Sequence, residues 1–222
     1  MKLTLEVLET PDQFKQKVLN AICAHINPRV FTKISKLQEE VAKRLRNIIE
    51  ASEGYKLLTS DAHTIGDFGF PQGDAKPYLD AIIDKICESI TITFSPFLVA
   101  TNRIRGSIKI GAVIADFSDV LSIPEAYISY YSRRFQGMVN LDWLSWLLEK
   151  GNKIIIRDFH IEYVGGAGRS GEALMRMSGS WRVDPQISGT LRDNWITRAV
   201  TDKATVEQEL NLAVEEFFSR IV

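Results

Sequence analysis

The densest group of residues suited to chemistry in this 222-residue chain is Gly166-Ala167-Gly168-Arg169-Ser170-Gly171. It satisfies the dinucleotide pattern G-x-G-x-x-G and follows a strand-like run, Lys153–Tyr163. That pattern holds a pyrophosphate only where a helix follows and aims its N-terminal N–H groups at the anion. Here Glu172–Met177 is interrupted by Ser178-Gly179-Ser180, and no parallel strand with a ribose-binding acid comes at the right distance. The reading that fits better is a glycine-rich hairpin tip, in which Arg169 would order the loop against a partner's carboxylates. Ser170 does not make a nucleophile elbow, because Gly168-Arg169-Ser170-Gly171-Glu172 lacks the final glycine of G-x-S-x-G.

Other candidates are sparser. Asp61, His63 and Asp67 would place two carboxylates and one imidazole near a cation, but one histidine in a loop is a thin ligand set. His160 alternates with Asp158 and Glu162 on a solvated strand face, and His25 has no partner within reach along the chain. Asp116 and Asp119 flank Ser118 near a strand end, where turn capping explains them equally well. Cys23 and Cys87 lie in apolar helical patterns and read as buried thiols. The expectation is a protein that is not an enzyme, with no catalytic, cofactor-binding or metal-ligating residues. The rival is a small soluble enzyme or nucleotide-binding protein using the Gly165–Gly171 loop.

The elements that must position these residues are legible from periodicity. Hydrophobic residues make up 45% and charged residues 25% of the chain, an ordinary globular balance. Net charge is −1, so nothing global attracts nucleic acid or an anionic membrane. No run approaches the length of a membrane span, and the first residues lack the apolar core of a signal peptide. Leu3, Leu5 and Val7 suggest a short strand or arm. Thr10-Pro11-Asp12-Gln13 predicts a capped helix start, and Asn27-Pro28 predicts a restart into a second helix through Val30, Ile34, Leu37, Val41, Leu45 and Ile48. Residues 51–76 read as the main loop region, with room for a helical turn over Glu53–Leu58 and breaks at Gly66, Gly69, Pro71, Gly73 and Pro77 after it. Tyr78–Glu88 reads as helix. Ile90–Phe97 and Gly106–Phe117 read as paired strands, and Ala126–Tyr131 as a weaker third. Leu141–Val200 holds all four tryptophans. It predicts a helix at Trp143 and Trp146, then a long hairpin (Lys153–Tyr163 out, Glu172–Val183 back, Val164–Gly171 as tip), then a short helix over Asp193–Val200. Lys203–Val222 is a terminal amphipathic helix. The fold class expected is α+β: a mainly antiparallel sheet with a long β-hairpin, packed by N-terminal and C-terminal amphipathic helices. It is read as one domain over residues 1–222, with 1–51 helical, 78–200 holding the sheet and 201–222 a helix.

Several of these stretches resemble a family of structural proteins of tailed bacteriophages, those of the neck and tail-completion region. The likeness covers roughly residues 53–200. It runs through Tyr55-Lys56-Leu57-Leu58, Gly66-Asp67-Phe68-Gly69-Phe70-Pro71, Arg105-Gly106-Ser107, Ala115-Asp116-Phe117-Ser118-Asp119-Val120-Leu121 and the Leu141–Leu148 helix. Its most specific parts are Gly168-Arg169-Ser170-Gly171, Ser180-Trp181-Arg182-Val183 and Asp193-Asn194-Trp195-Ile196-Thr197-Arg198-Ala199. In the family pattern a proline often follows Trp-Arg-Val directly; here Asp184 stands before Pro185. The resemblance implies a virion protein, a tail terminator or head–tail joining component, assembled in the host cytoplasm. It would act as a homo-oligomeric ring docking on other neck, tail or portal proteins, without a membrane. A baseplate or minor tail protein is the alternative station. The residues expected at interfaces are Gly166, Gly168, Arg169, Ser170, Trp181, Arg182, Trp195 and Arg198, with Trp181 and Trp195 alternatively read as core residues that anchor the hairpin base. Arg103 with Arg105, Arg133 with Arg134, and Arg176 with Arg182 are ordinary surface charge on a monomer. In a ring they would line a lumen and touch genomic DNA non-specifically.

Overall fold

The structure is a computed structural model that describes residues 9–71, 74–112, 117–132, 135–151 and 153–221. The arm at Leu3–Val7, Asp116 and the Arg133–Arg134 pair lie outside the described residues. Helices are α1 (Pro11–Ala51), α2 (Glu53–Ser60), α3 (Ala62–Phe68), α4 (Lys76–Glu88), α5 (Ser118–Leu121), α6 (Trp143–Leu148), α7 (Trp195–Thr201) and α8 (Lys203–Ser219). Strands are β1 (Ile90–Ala100), β2 (Arg103–Ala112), β3 (Ile128–Ser132), β4 (Gly137–Leu141), β5 (Ile154–Ala167) and β6 (Gly171–Arg182). They pair as β1–β2, β3–β4 and β5–β6 in separate two-stranded sheets. The α+β class and the long hairpin therefore stand. The expected arrangement does not: the strands form several short sheets, and helices recur through the chain instead of flanking it.

Contacts divide the chain into two compact units. The first comprises Met1–Val41, Ile90–Gly111 and Leu210–Val222. Its helix start is the capping box expected: the Thr10 N–H donates to Gln13 Oε1 at 3.0 Å, and the Gln13 N–H to Thr10 Oγ1 at 3.3 Å. The predicted restart at Pro28 is overturned, because α1 runs unbroken with Pro28 inside it. Proline costs the helix one backbone hydrogen bond, but burial of Cys23, Val30 and Leu37 on either side of it holds the axis. Asn27, just before the proline, bonds across to the ribbon β1–β2. Its Nδ2 donates to the Phe97 carbonyl at 2.9 Å and its Oδ1 accepts from the Phe97 N–H at 2.8 Å, as a neighbouring strand would. Gln38 Nε2 donates to the Ile90 carbonyl at 2.7 Å. The last carbonyls of the C-terminal segment accept from Arg29, on Ile221 at 2.7 Å, and from Lys33, on Arg220 at 3.1 Å, as cations should at a helix C-terminus.

The second unit comprises Ala42–Ser89 and Ala112–Glu209. The helical turn allowed at Glu53–Leu58 is helix α2, and the residues after it, read as loop from their glycines, form a second short helix, α3. Ser52 Oγ accepts from the Tyr55 N–H and caps α2; Asp61 Oδ2 accepts from the Thr64 N–H at 2.8 Å and caps α3. Gly66 is a contact residue, since a Cβ there would stand 3.2 Å from the Ala173 Cβ of β6. Gly69 ends α3 in the left-handed conformation, φ +62°. The turn expected at Ser132–Asn140 also contains a strand, β4, pairing Ile128↔Leu141 through Ser132↔Gly137 with β3. The core of the unit is aromatic. Trp143 is fully buried, donates Nε1–H to the Glu125 carbonyl at 2.9 Å, and meets Phe70 edge-on at 4.9 Å between centroids. Phe68 contacts Phe70, Trp143 and Trp181, and Trp146 contacts Trp181.

Candidate functional site

In the second unit, α3 packs across the β5–β6 hairpin. Cross-strand partners share a face, so Phe159 with Met177, Ile161 with Met175 and Tyr163 with Ala173 lie on one side. Ala173 is the buried end of that face, beneath Gly66. Strand pairing reaches Ala167, so the tip is only the turn Gly168–Ser170. Beside the hairpin lies a cleft of about 290 Å³ lined by Asp67, Tyr130, Trp146, Gly168, Arg169 and Ser170 among others.

Arg169 was expected to await a partner's carboxylate. Instead it bonds within the chain. Its Nε donates to the Gly69 carbonyl at 2.5 Å and an Nη to the Phe68 carbonyl at 3.2 Å, while the guanidinium stacks 4.4 Å from the Tyr130 ring centroid. A cation therefore caps the negative end of α3 and ties the tip to the body. Burial pulls its pKa below the ordinary arginine value. Ser170 is buried, and its Oγ accepts from the Glu172 N–H at 3.1 Å. Gly168, at φ +73°, has no room for a side chain, because a Cβ would overlap the Ala173 carbonyl oxygen. Gly166, at φ +77°, faces open space.

Asp67 sits on α3 at the cleft wall. The Tyr163 hydroxyl donates to its Oδ1 at 2.5 Å. Burial pushes its carboxyl above the usual range, against that hydrogen bond and the nearby Trp181 side chain, which both favour the charged form. Burial and the neighbouring Asp67 likewise raise Tyr163. His63 meets the Tyr163 ring edge-on at 4.1 Å. Asp61 falls below the usual carboxylate range because the Thr64 hydroxyl and N–H both donate to it. Asp67 and His63 thus both meet Tyr163 while Asp61 caps α3, and among the described residues no group of three His, Cys, Asp or Glu is placed to hold a metal ion.

Trp195 and Arg198 fall elsewhere in the unit, on α7. Trp195 is 2% exposed and packs on Gly54, where a Cβ would come within 2.6 Å of the indole Cβ. Arg198 organises the loop after β6. It donates to Asp193 Oδ1 at 2.7 Å and to the carbonyls of Gln186 and Ser188, each at 2.8 Å. Both residues line a second cleft of about 390 Å³. Trp181 is buried in the aromatic core, whereas Arg182 is exposed opposite Ile154 at the end of β6. The structure thus gathers Gly168, Arg169 and Ser170 in one cleft and Trp195 and Arg198 in another.

Two features were missed in sequence. The Asp67–Tyr163 bond joins residues 96 apart, and only the shared parity of Phe159, Ile161 and Tyr163 on β5 hints at it. The second is the exposed apolar part of the hairpin: Ile154 and Met175 are each 52% exposed and Met177 is 81% exposed. Turn and strand follow the glycine loop, with no helix to present N–H groups to a pyrophosphate. No protein-family model, curated protein or solved structure matches this chain.

Proposed function

We propose that this chain is a structural component of a tailed-phage virion at the head–tail interface, a neck or tail-completion protein that works by ring assembly and docking. The observation that carries the docking half is the exposed apolar stretch of the β5–β6 face that Ala173 begins under α3. Met175, opposite Ile161, and Met177, opposite Phe159, continue that face and present methionines to solvent, while the tip end of the hairpin is tied down by Arg169 and Tyr163. Flexible thioether side chains on a rigid ribbon suit contact with a neighbour. The virion assignment is supported by the residue resemblance around Gly168–Gly171, Ser180–Val183 and Asp193–Ala199. In this reading Trp181, Trp195, Arg169 and Arg198 build the platform, and the residues beyond them make the contact.

Native mass by light scattering behind size exclusion tests it. The expected result is a ring-sized mass, on the order of six subunits or more, or a climb toward it with concentration. The double variant M175S/M177S is expected to shift that equilibrium toward monomer with its melting temperature unchanged. A monomer at every concentration, with no binding to purified phage necks, would sink the proposal.

A further inference from the structure

The β1–β2 ribbon of the first unit carries a pattern that virion docking does not use. From Ile90 to Ala112 it holds Arg103, Arg105 and Lys109 and no acidic residue, in a chain with 28 acids and 27 basic residues. Contacts at two glycines fix its faces. A Cβ on Gly106 would collide with the half-buried Phe97, so even positions of β2 face inward there. A Cβ on Gly111 would meet Thr91 Oγ1 at 3.3 Å, and the Thr91 hydroxyl donates to the Gly111 carbonyl, so odd positions share the outward face with Thr91. Arg103, Arg105 and Lys109 are all odd and all exposed, and Thr91, Thr93 and Ser95 on β1 are exposed as well. Among the described residues none of the three cations pairs with a carboxylate, in contrast to Arg44, Arg46, Arg176 and Arg198.

We propose that this outward face is a binding site for the phosphate backbone of duplex DNA, with Arg103, Arg105 and Lys109 as its contacts. Same-face residues of a strand repeat every ~6.8 Å, so the row spans about 20 Å. Duplex DNA carries one phosphate charge per ~1.7 Å of helix axis over its two strands, so a cationic row about 20 Å long laid across the duplex has phosphates of both strands within reach. Nearby hydroxyls add donors to phosphate oxygens without reading bases, so the site is sequence-independent. An anionic membrane is a poorer match, since polybasic surface segments carry about four to eight cations. The expectation for Arg103 and Arg105 was contact with DNA only inside a ring; the outward face adds Lys109 and the hydroxyls of β1 and binds duplex as a monomer as well as in a ring.

Fluorescence anisotropy with a short mixed-sequence duplex, titrated across salt, tests it. Three phosphate contacts give a slope of log K against log salt of about −2.7, a loss of roughly 500-fold per tenfold rise in salt. R103Q/R105Q/K109Q is expected to abolish that slope, and R103K/R105K to retain it. Circular dichroism and melting of each variant check the fold. No binding at low salt, a slope that the glutamine variant leaves unchanged, or preference for phosphatidylserine vesicles or polyglutamate over duplex would each overturn the site. The native mass of the glutamine variant, measured alongside, reports on ring assembly separately from the DNA slope.

Discussion

Two hairpins in this chain are fastened to helices by opposite devices. In the first unit the helix reaches out: the neutral Asn27 amide of α1 pairs with both polar groups of the Phe97 peptide. In the second unit the hairpin reaches back: the Arg169 guanidinium takes the terminal carbonyls of α3, and Tyr163 takes the Asp67 carboxylate. The first joint contains no titratable group; the second contains three. The ribbon with the neutral joint keeps its cations on the outward face, unpaired with any carboxylate among the described residues. The hairpin with the charged joint spends its central cation on its own fold. Where a chain places its charge decides which surface is left for a partner.

The largest effect separating the two joints is expected at Arg169. R169A removes a charged donor from two part-buried carbonyls and a cation from the Tyr130 face. It should lower stability by about 3 kcal/mol. R169K keeps charge but cannot span both carbonyls with a planar fork, and should recover less than half of that loss. Denaturant unfolding measures both. If R169A were as stable as the parent, the tip would not be tethered, and the contrast between the joints would vanish.

At the neutral joint N27A should cost about 2 kcal/mol, since it strands both the N–H and the carbonyl of Phe97. N27D is the sharper probe. A carboxylate still accepts from the Phe97 N–H but turns a second oxygen toward the Phe97 carbonyl. N27D should therefore be less stable than N27A at neutral pH and recover in acid. Equal stability of the two would mean that the Asn27 Nδ2–H bond contributes nothing.

How far such joints can be read from sequence depends on the range of the interaction. The capping box at Thr10 and Gln13, the strands of the long hairpin and helix α4 all rest on neighbours a few positions apart, and periodicity found them. Pro28 and Gly66 misled the local reading for one reason: their meaning lies in tertiary partners. Pro28 is carried through the helix by burial around it, and Gly66 is small because Ala173 lies against it. Arg169 stood out as the polar centre of the glycine loop. That it acts on residues 100 and 101 positions earlier could not be seen. Trp195 and Arg198 stood out as interface residues; that Trp195 packs on Gly54 and Arg198 holds the loop after β6 within the chain could not be seen.

The smallest and most diagnostic difference is in pH. Asp67 has a folded-state pKa raised by burial, so its protonated form favours the folded state. That contribution is fully present below the unfolded carboxylate pKa and is lost as pH rises through the folded value. Asp61, with a lowered pKa, acts in the opposite sense, so the parent's own pH profile mixes the two. The difference between the parent and D67N cancels Asp61 and leaves the Asp67 term. It should favour the parent most in acid, decline as pH rises from the ordinary carboxylate range, and flatten above the Asp67 pKa. Y163F should cost about 1 kcal/mol for the lost hydrogen bond. It also removes a group that lowers the Asp67 pKa, so the decline should move to higher pH. The N27A penalty, with no titrating group at its joint, should stay constant over the same range. A parent-minus-D67N difference that is flat in pH would place Asp67 in an environment no different from water and remove the distinction between the two joints.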